Sequence, residues 1–118
     1  MYGIAKKYIE KHIQSDLIIE SVKMTTDYKT NNREIKKLHK LFVELSKNLT
    51  LAHEVYRELL NTDIATTKAI SSVECLRLGI LQEQALFTLR ELANRTDIGI
   101  ISFEAEMTLK MWKEGNLN

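Results

Sequence analysis

Proline is absent from all 118 residues, and the four glycines stand alone at positions 3, 79, 99 and 115. Proline deprives a helix of a backbone N–H and clashes with the preceding turn, and glycine pairs supply the positive-φ turns of tight hairpins. A chain lacking the first and holding only isolated copies of the second has few ways to bend sharply. Long helices joined by short links are the architecture it favours.

The apolar spacing fits helices. Over residues 3–24, Ile9, Ile13 and Leu17 fall at i, i+4 and i+8, and Ile18 and Val22 widen the stripe. Thr25 to Asn32 has no apolar period and is rich in side chains that bond their own backbone, which predicts a loop. Asn31 and Glu34, at capping-box spacing, open a second predicted helix reaching about Leu60. Along it Ile35, Leu38, Phe42, Leu45, Leu49, Ala52, Tyr56 and Leu59 alternate steps of three and four, with Leu41 and Val55 on one flank, as in a bundle helix.

A third predicted helix begins near residue 63 or, with Ser71 and Glu74 as a capping box, near 72, and ends around Arg95. Its wide arc is Cys75, Leu78, Leu81, Ala85, Leu86, Leu89, Leu92 and Ala93, while Val73, Leu76, Ile80 and Phe87 form a second patch on the other side. A helix apolar on two faces is normally buried on both, so the second patch predicts self-association, with a two-fold dimer favoured. Thr96 or Asp97 caps a fourth helix carrying Ile98, Ile101, Ala105, Leu109 and Trp112, and Gly115 is its stop. Together these predict an all-α single domain over residues 1–118. Its form is an antiparallel helical bundle of about four helices with a long hairpin of helices two and three.

Charge narrows the functions. Seventeen basic residues face sixteen acidic ones, so the chain as a whole lacks the one-signed field that draws proteins to nucleic-acid backbone or anionic lipid. The distribution is uneven: residues 1–50 hold ten basic and six acidic residues, residues 51–118 seven and ten. Cys75 is the only cysteine, set among apolar neighbours, which excludes an intrachain disulfide and predicts a small core group in a reducing compartment. Charged residues interrupt the N-terminus where a signal peptide has its apolar run, and no stretch is long enough to span a membrane, so the expectation is a cytoplasmic protein.

Signatures of catalysis and cofactor binding are missing. His39 and His53 lie roughly 21 Å apart along a helix, too far to share an ion, and no Glu-x-x-His pair occurs. His12 has Asp16 at i+4, a spacing that usually makes a surface hydrogen bond. No nucleophile elbow or glycine-rich phosphate loop is present. The expectation is a protein that is not an enzyme and needs neither metal nor cofactor.

Two segments point elsewhere. Thr88 to Phe103, with Leu92, Ala93, Ile98 and Phe103 in the apolar and small positions, resembles the middle of a helix-turn-helix. It departs from that motif in having Asp97 where the turn normally has glycine. Its would-be recognition helix carries Gly99, Ile100, Ile101, Glu104 and Glu106, where base reading needs Arg, Lys, Asn or Gln. Arg33, Lys36, Lys37, Lys40 and Lys47 form a basic face on helix two, a possible anion or nucleic-acid patch with no interleaved aromatics for base stacking. The functional expectation is a non-enzymatic helical protein acting through self-association and binding of a protein partner, as an adaptor, regulator or inhibitor. Nucleic-acid binding through the 88–106 segment or the basic face is the alternative.

Overall fold

A computed structural model describes residues 3–117. Six helices and no strands occur among them: α1 Ile4–Val22, α2 Tyr28–Ser46, α3 Leu49–Leu60, α4 Ala65–Leu78, α5 Gln82–Ala93 and α6 Ile100–Lys113. The all-α expectation holds, and the count of about four does not. Neither member of the predicted long hairpin survives as one helix, because each is cut once by a local signal. The chain forms two compact units, Met1–Leu59 and Leu60–Asn118.

In the first unit α2 begins at Tyr28, within the predicted loop. Asp27 caps it by accepting the Thr30 N–H at 3.1 Å, a bond that also holds the Asp27 carboxyl below its ordinary pKa. The helix stops at Ser46. Asn48 then restarts the chain as α3: its Oδ1 accepts the Leu51 N–H at 3.1 Å and its carbonyl accepts the Ala52 N–H at 2.9 Å. One amide side chain therefore makes a break that needs neither proline nor glycine.

That break changes which residues face inward. On α2 the buried residues are Glu34, Leu38, Leu41 and Leu45, and on α3 Ala52, Val55, Tyr56, Leu59 and Leu60. Ile35 and Leu49, two members of the predicted seam, are each 48% exposed. On α1 the buried residues are Ala5, His12, Ser15, Asp16 and Ile19, so Leu17 lies outside, contrary to the apolar stripe. Tyr8 reaches Glu44 and Ser15 reaches Glu34, so α1 and α2 run antiparallel. A helix facing the buried Glu34 has to offer hydrogen-bond donors, which turns its serine inward at the expense of Leu17.

In the second unit the predicted third helix is cut at Gly79. With φ 72°, Gly79 is left-handed; its N–H donates to the Leu76 carbonyl and the Ile80 N–H to the Cys75 carbonyl, a Schellman stop for α4. Leu81, at φ 49°, carries a left-handed backbone without glycine's freedom and leads into α5. α5 packs on both α4 and α6. The core comprises Leu60, Ala65, Cys75, Leu76, Ile80, Ala85, Leu89, Leu92, Ile101 and Ala105. Helix α6 starts at Ile100, later than the predicted Thr96 or Asp97 cap, and ends as predicted at Gly115, where a second Schellman pair forms.

Candidate functional site

Polar residues occupy the middle of the first unit. His12 Nδ1 donates to Asp16 Oδ2 at 2.7 Å, with both side chains buried, so this pair lies in the interior and not on the surface. The Tyr56 ring meets the His12 ring edge-on, with centroids 6.2 Å apart. Nearby on α2 the buried Glu34 presents Oε2 to Arg33 Nε at 3.2 Å and Lys37 Nζ at 3.1 Å. Burial pushes the Glu34 carboxyl up, and the Ser15 hydroxyl, Lys37 and Arg33 more than offset it, leaving its pKa below the ordinary value. Its other oxygen, Oε1, is buried without a hydrogen-bond partner. Tyr8 donates to Glu44 at 2.9 Å, and this bond, with some burial, raises the phenol's pKa.

Between α1 and α2 lies an open groove of about 1240 Å³. Ile18, Ile35, Leu41 and Val43 give it an apolar lining, and Lys11, Lys36, Lys37 and Lys40 surround that lining with ammonium groups. The predicted basic face is thus exposed throughout but divided. Lys36, Lys37 and Lys40 line the groove, Lys47 does not, and Arg33 and Lys37 are tied to Glu34. Sequence spacing identifies the lysines and not the groove, because the seam period assigns Ile35 to the core whereas it lies 48% exposed on the lining.

In the second unit the predicted self-association patch does not form one strip. Leu76 and Ile80 are buried, Val73 is half-buried, and Phe87 alone is fully exposed, at 59%. The cut at Gly79 accounts for this, because it removes the continuous helix on which the four residues shared a face. A different strip is exposed on α6, where Ile100, Phe103, Met107 and Met111 follow one another at steps of three, four and four. Ile101 and Ala105, on the other side of the same helix, are buried. That spacing is readable in the sequence beside the stripe of Ile98, Ile101 and Ala105, which shares the same helical period.

The segment resembling a helix-turn-helix does form two helices, α5 and α6, separated by residues 94–99. Arg95 makes a two-pronged ion pair with Asp97, at 2.9 and 2.7 Å, which raises the arginine's pKa and lowers the aspartate's. The exposed start of α6 offers Ile100, Phe103, Glu104 and Glu106, with no donor suited to a base edge. Cys75 is buried, and desolvation followed by the nearby Glu74 pushes its thiol to about 12, far from nucleophilic. Among the described residues no three His, Cys, Asp or Glu side chains converge as metal ligands, and no helix is long and apolar enough to cross a membrane. Compared with protein-family models, curated proteins and solved structures, the chain matches none.

Proposed function

We propose that this protein acts by binding other protein surfaces, without catalysis, and that it pairs with a second copy of itself through α6. The observation that carries this reading is the exposed row of Ile100, Phe103, Met107 and Met111 on a helix whose opposite side is already buried. A contiguous apolar row in water is the usual mark of a docking surface, and methionine adapts its shape to what it meets.

Charge along α6 favours a second copy as the occupant. Glu104 and Glu106 flank the N-terminal half of the row, and Lys110 and Lys113 flank the C-terminal half. Antiparallel pairing of two such helices lays each acidic half beside a basic half and opposes their dipoles. Two-fold symmetry brings the same row to itself. Light scattering at tens of micromolar should give twice the chain mass. Phe103→Glu should give the monomer with unchanged helical circular dichroism, because two charges would be desolvated across the two-fold axis. A wild type already monomeric there, or a variant still dimeric, contradicts the reading.

A further inference from the structure

We infer that the groove between α1 and α2 is a receptor for an acidic amphipathic helix from a partner protein. It uses no residue of α6, so it stands or falls separately from self-association.

Two observations converge on that occupant. First, the groove combines an apolar lining, Ile18, Ile35, Leu41 and Val43, with four lysines. Simple anions need no apolar lining, and a plain apolar helix gains nothing from the lysines. A helix whose apolar ridge is flanked by Asp or Glu satisfies both. Second, the α2 wall from Glu34 to Glu44 extends about 15 Å, which is three turns of a bound helix at 1.5 Å per residue.

Nucleic acid fits less well. The lining offers no tryptophan, tyrosine or phenylalanine for base stacking. Of the two carboxylates on it, Glu34 is paired with Arg33 and Lys37 and Glu44 is engaged by Tyr8, which leaves Lys11, Lys36 and Lys40 to meet the acidic flanks.

The test is fluorescence anisotropy on the full chain, with a labelled synthetic helix of about 15 residues bearing a leucine ridge and glutamate flanks. A peptide with lysine replacing every glutamate and an oligonucleotide of about 16 bases serve as comparisons. Saturable binding of the acidic peptide is expected, weakened about tenfold or more by Lys36→Glu with Lys40→Glu and by Ile35→Asp. These positions are exposed, so the variants should keep the wild-type circular dichroism. Phe103→Glu should bind the peptide as wild type does. The inference is overturned if the acidic peptide does not saturate, if the lysine peptide binds equally well, or if the groove variants leave affinity unchanged. Tighter binding of the oligonucleotide than of the peptide would overturn it in favour of a nucleic-acid site.

Discussion

The two units bury polar side chains of different kinds. In the first, His12 and Asp16 on α1 and Glu34 on α2 place ionisable groups in the interior. In the second, α4 buries mainly hydroxyls, Thr66, Thr67, Ser71 and Ser72, with Glu74 as the ionisable exception. Neutral hydroxyls cost less to bury than ionised groups, even where they find no partner, as with Ser71 and Ser72; ionised groups must find opposite charge or several donors and answer to pH. The first unit is therefore the one whose packing is tied to protonation, and the second the one whose packing depends on side-chain size.

The largest effect that separates inner from outer positions is truncation in the first unit. Leu45→Ala should cost about 2–5 kcal/mol, since it empties a fully buried site, while Leu49→Ala should stay within about 0.5 kcal/mol. Urea unfolding followed by circular dichroism measures both. Equal losses would mean that Leu49 is core and that the break at Asn48 does not form. In the second unit, Gly79→Ala should cost about 1–2 kcal/mol because it forces a Cβ into a left-handed backbone, although no atom lies in the way of that Cβ. Trp112, the sole tryptophan, belongs to this unit, so its fluorescence is a suitable probe. An unchanged midpoint would show that α4 and α5 run together as one helix.

Acid provides a smaller and more selective comparison. The folded Glu34 carboxyl titrates below its ordinary 4.5, so protonation is harder folded than unfolded. Its contribution is complete above the ordinary value and is lost as pH falls through the folded one. Melting temperature measured from pH 6 down to pH 3 should therefore fall less steeply in Glu34→Gln than in wild type. Parallel curves would remove Glu34 from the account.

Much of the fold was legible from residue type. Missing proline fixed the helical class, Gly115 marked the last stop, and Leu38, Leu45, Tyr56 and Leu59 were core on spacing alone. What escaped was punctuation and phase. Gly79 after Leu78 is an ordinary helix stop and Asn48 an ordinary cap, but apolar periodicity runs across both and hides them. On α1 the inward residues include His12, Ser15 and Asp16 beside Ala5 and Ile19, and no apolar count selects the three polar ones, which face a neighbouring helix with a buried carboxylate. The candidate surfaces were legible only in part: the lysines by charge, the outer row of α6 by a spacing that its inner stripe overshadowed.

Helix α4 has a consequence for how this protein can diverge. Arg77 is its one exposed residue; the other thirteen are held at least half inside, and nine of them are alanine, threonine, serine, cysteine or leucine. Such a segment has no outward side on which substitutions accumulate unnoticed, and enlarging a small residue there meets packed neighbours on most bearings. Neutral drift is left to exposed polar positions elsewhere, such as Arg57 and Glu58 on α3 and Gln82, Glu83 and Glu91 on α5. Distant descendants of this chain would keep their ancestry most visibly in the fourteen residues from Ala65 to Leu78.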